Sequence, residues 1–349
     1  MSAACKGVVM FSRVLAALAV IASGAAGAAD RLPIIDMHLH ARQAKYSGDD
    51  PMPMCAPFLV MPRSDPKNGP AAGMVGNIDP PCEKPIPAAL TDEQVMRDTI
   101  TVMERHNIIG MVSGEPELMR VWRAAAPRRI IPGIDFRLPG TPCCRHVKAR
   151  SLAQLRALHA RGELQVLGEM MAQYEGVAAT DSRLEPYWAL AEELDIPVAI
   201  HMGPGEPAGP YGNSGYRAKL GDPLLLEDVL VRHPRLRLYL MHAGYPMIAS
   251  LRALMFSHPQ VYVDIGSIVY TEPRPAFYRF LEEIAEAGYG DRIMFGSDQM
   301  IWPGVIEPSI KVIEDAPFLT PAQKRDILYN NAARFLRLSK EQIAAHHKM

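Results

Sequence analysis

The sequence predicts a closed (β/α)8 TIM barrel with its reacting site at the C-terminal ends of the strands. Three observations carry this reading. Eight short apolar runs recur without polar alternation, as strands of a parallel sheet buried on both faces require. Amphipathic helical stretches separate them. No Gly-x-Gly-x-x-Gly turn follows an early strand, which disfavours the alternative, an open doubly wound sheet. The 349 residues, 48% hydrophobic and 21% charged, suit one such domain.

The chain opens on a leader. Lys6 and Arg13 precede an apolar run over 14–22, and small residues fill 23–29. This pattern predicts a secretory signal peptide over 1–29, cut near 26–29. Its apolar run is too short and too soon diluted by Gly and Ala for a membrane anchor. Export to the periplasm or the medium is therefore expected, with no stable membrane anchor after cleavage. Losing the leader moves the net charge from -1 to -3, since it carries Lys6 and Arg13 and no acid. No basic stripe remains, which argues against nucleic acid as a partner. A small-molecule substrate is the expected partner, and a homo-oligomer stays open. Four cysteines are left for an oxidising compartment. Cys55 and Cys82 bracket a Pro-rich segment and are the expected bridge, whereas Cys143 and Cys144 could pair outward or stay thiols.

The barrel is expected over 30–338, with a Pro-rich insertion at 41–90 and a frayed polar tail at 339–349. Strand one covers 34–40, where alternation places Asp36, His38 and His40 on one face and Met37 and Leu39 on the other. After the insertion, Thr91-Asp92-Glu93-Gln94 opens a helix to about 106, with Val95, Thr99, Val102 and Met103 on one side. Strand 108–112 and helix 117–125 follow, then strand 130–137. Ser151 caps a helix to 160 before strand 164–170 and helix 184–194. Strand 196–201 leads through a Gly/Pro loop to helix 223–232. Strand 236–242, helix 247–257, strand 261–265, helix 275–287 and strand 292–297 come next. Helices at 305–315 and 321–336 close the domain.

Polar residues recur at the strand ends. Strand one offers His38 and His40, strand four Glu169, strand five His201, strand six His242 and strand eight Asp298. Each alone has a plain reading as a packed histidine, a helix cap or a salt-bridge partner. Together, at one barrel mouth, they supply the nitrogen and oxygen donors that zinc and its neighbours take. Arg137, ending strand three, could clamp a substrate carboxylate or pair with a structural acid. Tyr211, Asn213, Tyr216 and Arg217 lie in the loop after strand five and are candidates to overhang the mouth. Tyr245 and Gln299 follow two of the donor motifs and are candidate substrate contacts. Trp302 is a wall or a packing residue, and Asp264 a partner that orients a donor or an ordinary strand-end acid.

Over about 32–338 the sequence resembles the amidohydrolase superfamily, and more narrowly its amidohydrolase-related branch of lactone hydrolases and nonoxidative decarboxylases. The likeness rests on Asp36-Met37-His38-Leu39-His40, Ile200-His201, Met241-His242-Ala243-Gly244, Gly296-Ser297-Asp298 and the closing Asn331-Ala332-Ala333-Arg334-Phe335-Leu336. The resemblance implies a divalent metal, zinc first, as one or two ions. His38, His40, His201 and Asp298 would be ligands. No lysine lies on strand four, where binuclear relatives often carry a carbamylated one, and Glu169 stands in the place of a bridging glutamate. The preferred arrangement puts His38, His40, Glu169 and Asp298 on one ion and Glu169, His201 and His242 on the other. With one ion, His242 is freed to stabilise or protonate substrate. The implied activity is hydrolysis of a lactone, ester or amide by metal-activated water, with Asp298 as general base. The alternatives are nonoxidative decarboxylation of a small carboxylic acid on the same site, and an inactive binding barrel.

Overall fold

The computed structural model describes residues 31–47, 50–61, 65–68, 82–140, 147–205, 207–211 and 215–349. The leader, the Cys143–Cys144 pair and Asn213 lie outside the described residues. Eight parallel strands run in chain order: β1 (Ile34–Ala41), β2 (Ile108–Gly114), β3 (Ile130–Phe136), β4 (Val166–Met170), β5 (Val198–His201), β6 (Leu238–Met241), β7 (Tyr262–Asp264) and β8 (Ile293–Met294). The ring closes where the backbone beyond β8 meets β1. Met37 N donates to Phe295 O at 2.9 Å and Asp298 N to His38 O at 2.6 Å. β8 is much shorter than the apolar run that announced it. Its continuation leaves the ladder, with Phe295 N bonded to Ile327 O and Ser297 N to the Asp36 carboxylate.

The helices between strands bury their apolar faces on the outside of the ring. Two examples show why they start where they do. Thr91 caps α1 (Asp92–Arg105) by accepting from Gln94 N, and Ser151 with Gln154 forms a reciprocal capping box on α2 (Leu152–Ala160). The side chains sort by alternation. Ile35, Met37, Ile109, Ala199, Tyr239 and Met241 make an inner layer, stoppered by Tyr329, Ala332 and Phe335. Ile34, Leu39, Ile108, Val198, Leu238 and Leu240 face outward to the helices. Each such fully buried large side chain contributes about 1.5–3 kcal/mol.

Strand one departs from strict alternation. Its register against β2 shifts between Asp36 and Leu39, so Met37 points inward with Ile35 while Leu39 points outward. Asp36 therefore does not join the two histidines. Its carboxylate accepts from His38 N and Ser297 N, both at 3.0 Å, and clamps β1 to the segment after β8.

The segment expected to fray, 339–349, contains a helix over Lys340–His346. Ser339 and Gln342 form its capping box, Ile343 packs against the inner layer's stopper, and Tyr329 Oη lies 3.0 Å from His346 Nδ1. A cap and one apolar anchor suffice for a short docked helix, and composition alone conceals both.

The described parts of the insertion lie over the C-terminal end of the barrel. Met54 and Ile86 pair as an antiparallel bridge. Phe58 N bonds Thr271 O at 2.7 Å, Ala89 N bonds Ile301 O at 2.9 Å, and Trp302 Nε1 donates to Met52 O at 2.9 Å. Cys55 and Cys82 form the expected disulfide. Opening it with Cys82→Ser is expected to lower stability by about 2–4 kcal/mol. Thermal unfolding of the oxidised wild type, the reduced wild type and the variant would check this, and identical midpoints would contradict it.

Candidate metal centre

The donors are placed by tight backbone construction. The His38 ring lies against two glycines: a Cβ on Gly266 would come within 2.5 Å of His38 Nδ1, and one on Gly296 within 2.8 Å of His38 Cβ. His40 is held through its backbone, since Gln299 Oε1 accepts from His40 N at 2.9 Å and Gln299 Nε2 donates to His40 O at 2.6 Å. His242 and Asp298 both adopt left-handed backbone, with φ of 60° and 53°. Non-glycine residues in that region cost about 1–3 kcal/mol each and persist where surroundings over-determine them, commonly at functional sites.

The six strand-end donors meet at one mouth in two sets. In the first, Asp298 Oδ1 lies 3.6 Å from His38 Nε2 and 3.1 Å from His40 Nε2. In the second, Glu169 Oε1 lies 3.9 Å from His242 Nε2, and His201 packs on His242 with ring centroids 4.3 Å apart. Within each set the donor atoms fall within 4.8 Å of one another. Glu169 links the sets, with Oε2 3.5 Å from His40 Nε2. Asp264 Oδ2 stands 3.2 Å from His38 Nδ1, behind the ring, while its Oδ1 takes Gly266 N at 2.7 Å and His242 N at 3.2 Å. That arrangement fixes the His38 ring and turns its Nε2 toward Asp298.

Burial and charge set the protonation states. Burial alone would depress His38, but the carboxylates of Asp298 and Asp264 overcome it and raise the ring to about 10. Burial, and after it the Arg42 charge, lowers His40 to about 4. Burial and the His242 charge lower His201 to about 3. Burial opposes ionisation of Glu169, yet His242 and His40 hold it well below the usual carboxylate range. Asp298 is held low in the same way by His38 and His40, against burial. His242 is raised by Glu169 despite burial.

The other candidate residues take varied places. Arg137 Nε lies 3.7 Å from Glu175 Oε1, an ion pair of the kind the structural alternative expects. Gln299, expected to touch substrate, is fully buried and both ends of its amide hold the His40 backbone. Tyr245 turns its hydroxyl to Glu272 Oε2 at 2.9 Å and packs on Phe280. Tyr211 is 67% exposed. Arg217 donates to Tyr216 O at 2.6 Å within its own loop. Trp302 is buried among core residues.

Several residues at the mouth were not foreseen. Arg42, 3% exposed, pairs with Asp135 and lies 3.8 Å from Glu169 Oε2. Gln173 Nε2 lies 2.6 Å from His201 Nδ1, and Tyr174 Oη 3.0 Å from His201 Nε2. Tyr270 Oη donates to Asp298 O at 3.0 Å. Arg42 did have a signal: it continues the alternation of His38 and His40. Gln173 and Tyr174 lie in a short turn over Ala172–Glu175 and Tyr270 in a one-turn helix over Ile268–Thr271, both too short for periodicity to show which way a side chain faces.

The first set passes a direct test for a metal. His38 Nε2, His40 Nε2 and Asp298 Oδ1 are buried atoms with no protein hydrogen bond. The 3.1 Å approach of His40 to Asp298 is close but not aligned as a hydrogen bond. Two imidazole nitrogens and a carboxylate oxygen left unsatisfied at such range are the donor set of a divalent transition ion. A ligand nitrogen must be neutral, so binding requires His38 to lose the proton its neighbours hold up to about pH 10. At pH 7 zinc binding is therefore expected to release about one proton, and affinity to rise about tenfold per pH unit as that proton becomes easier to remove. Titration calorimetry in buffers of different ionisation enthalpy would check this, and buffer-independent heat would contradict it.

Comparisons with known proteins agree with the architecture. The amidohydrolase family model matches residues 35–338. Among solved structures, an uncharacterized TIM-barrel protein from Bordetella bronchiseptica superposes with a TM-score of 0.56 at 18% identity, covering 90% of this chain and 100% of its own. A probable 2-pyrone-4,6-dicarboxylic acid hydrolase from Acinetobacter baumannii gives 0.55 at 14% identity, over 88% and 100%. The 2,6-dihydroxybenzoate decarboxylase from Rhizobium gives 0.54 at 14% identity, over 88% and 99%. At these identities the likeness is one of fold. Protein fluG of Emericella nidulans is 22% identical over 164 residues, 43% of this chain but 18% of that protein. The chain thus spans less than a fifth of that curated relative's length.

Proposed function

From the premise that the chain belongs to the amidohydrolase family, we propose that it is a metal-dependent hydrolase of a small-molecule lactone, ester or amide. The observation that carries the proposal is the convergence of His38 Nε2, His40 Nε2 and Asp298 Oδ1 as buried atoms without protein hydrogen bonds. These residues, with Glu169 beside them, would hold a divalent ion, zinc being the first choice for such donors. When bound, the ion supplies Lewis acidity toward a carbonyl oxygen and makes water easier to deprotonate. Asp298, ionised at neutral pH, accepts the proton of the attacking water and returns it to the leaving oxygen or nitrogen. Asp264 fixes the His38 ring, and Tyr270 steadies the Asp298 backbone. His242, whose basicity Glu169 raises against burial, is placed to offer an N–H to the oxygen that gains charge. The Cys55–Cys82 bridge supports action in an oxidising compartment outside the cytoplasm.

One observation favours a second reading. His242 Nε2 lies 3.9 Å from Glu169 Oε1, which favours its protonated form, and a protonated His242 would also serve as proton donor to a carbon that has lost CO2, the reaction named for the Rhizobium decarboxylase of the same fold. A panel of lactones, aryl esters, amides and hydroxylated aromatic acids, turned over in 18O-water, separates the two. Hydrolysis predicts 18O in the product acid and no CO2. Release of CO2 without 18O in the remaining product would replace the first reading by the second.

A further inference from the structure

We infer that the disulfide-closed part of the insertion, 52–58 with 82–89, is a strap that aims Asp298 at the two strand-one histidines, and that Trp302 is the positioning residue through which it acts. The inference rests on the metal-centre reading above and gives the insertion a part in that site. The need for outside support lies in the backbone after β8. Asp298 and Met300 both adopt left-handed backbone, with φ of 53° and 48°, a region that strains any residue bearing a Cβ. Asp298 N reaches His38 O at 2.6 Å, and Trp302 N closes the turn onto Gln299 O at 2.6 Å. Such a loop persists where its surroundings over-determine it, and the strap supplies surroundings on both sides.

On one side, Trp302 Nε1 donates to Met52 O at 2.9 Å and Ala89 N to Ile301 O at 2.9 Å. The indole is buried, so without the Met52 carbonyl its N–H would need another partner. The turn gripped in this way begins at Gln299, whose amide holds His40 N and O. One grip therefore serves Asp298 and His40 together. On the other side, Phe58 N donates to Thr271 O at 2.7 Å, next to Tyr270, whose hydroxyl donates to Asp298 O at 3.0 Å. The strap is itself closed twice. Met54 and Ile86 exchange backbone hydrogen bonds of 2.9 and 2.7 Å, and the Cys55–Cys82 bridge joins the same two segments. Its anchor points at Thr271, Ile301 and Trp302 fall within a few residues of Asp298 or beside a side chain that bonds it. A cover that only shielded the mouth would need no such choice of anchors.

The test uses the full chain, stripped with chelator, with zinc as the probe and affinity read by competition with a chromophoric chelator. Trp302→Phe keeps a ring in the core and loses the bond to Met52. Cys55→Ala with Cys82→Ala opens the strap and leaves no thiol there to bind zinc. Each is expected to bind zinc about tenfold more weakly than the wild type, as when a ligand's support is removed. Combined, they should lose little more than either alone, because both act through one strap. Ile343→Ala loosens the helix docked at the other end of the barrel, where Asn107, ahead of β2, bonds His346 O. It is expected to lower thermal stability and leave zinc affinity unchanged. Hydrogen exchange on the apo wild type decides the matter should a variant not fold: the Asp298 N–H is expected to exchange no more slowly than those of Met54 and Ile86. Wild-type zinc affinity in folded Trp302→Phe or the folded cysteine variant, fully additive losses, an equal loss in Ile343→Ala, or an Asp298 N–H protected long after those of the strap would overturn the inference and leave the metal-centre reading standing. Zinc affinity unchanged by His38→Ala would overturn that reading, and the inference with it.

Discussion

Asp298→Ala is expected to abolish tight metal binding and to lower turnover by about a thousandfold or more. The variant removes the oxygen that faces both His38 Nε2 and His40 Nε2, together with the group proposed to carry the proton. Loss of positioned acid–base function alone costs about 10²–10⁴ in rate, and loss of a first ligand adds to it. A graded series makes the test specific. Asp298→Asn keeps the shape but not the charge and is expected to fall nearly as far. Asp264→Asn keeps His38, His40 and Asp298 and weakens the partner behind the His38 ring, whose other oxygen also holds the Gly266 and His242 backbone, so metal affinity should drop by about 10–100-fold. Metal content and kcat measured together on the three variants would check the order. Full metal occupancy in Asp298→Ala would contradict it.

Arg42→Met should be the most destabilising single change at the mouth. The guanidinium is nearly inaccessible, pairs with Asp135 and approaches Glu169, and it stacks on Tyr46 with 4.5 Å to the ring centroid. Methionine fills much of the same volume but leaves the Asp135 carboxylate, 1% exposed, without its cation. Breaking a buried pair from one side typically costs about 3–5 kcal/mol, because the remaining charge has neither water nor partner. Arg42→Lys keeps the charge and loses the planar fork, so an intermediate loss is expected. Arg42→Met with Asp135→Asn should lose less than the sum of the two single changes. Denaturant unfolding of the set would check this. A change within about 0.5 kcal/mol for Arg42→Met, the size of an ordinary surface substitution, would contradict it.

The barrel was legible because its signal is repeated: eight apolar runs separated by helical stretches survive an error in any one of them. The donors were legible for a related reason, since a histidine or carboxylate ending an apolar strand stands out against its neighbours. What depended on one backbone detail was not. The register shift between Asp36 and Leu39 removes Asp36 from the face that simple alternation assigns it. Gln299 looked like a substrate contact because it follows Asp298, yet the backbone of β1 takes both ends of its amide. Tyr245 follows His242 by three residues, but its hydroxyl goes to Glu272. Gln173 and Tyr174 sit in a short turn over Ala172–Glu175, where no periodicity announces which way a side chain faces. Strand periodicity therefore locates donors, while the groups that orient them become visible only in three dimensions.

Diffraction from crystals soaked in zinc, recorded on both sides of the zinc absorption edge, tests the central claim most directly. The account predicts one strong anomalous peak about 2.0–2.2 Å from His38 Nε2, His40 Nε2 and Asp298 Oδ1. A mouth that shows no peak while zinc binds elsewhere on the chain, or a peak held without His38 and Asp298, would contradict it.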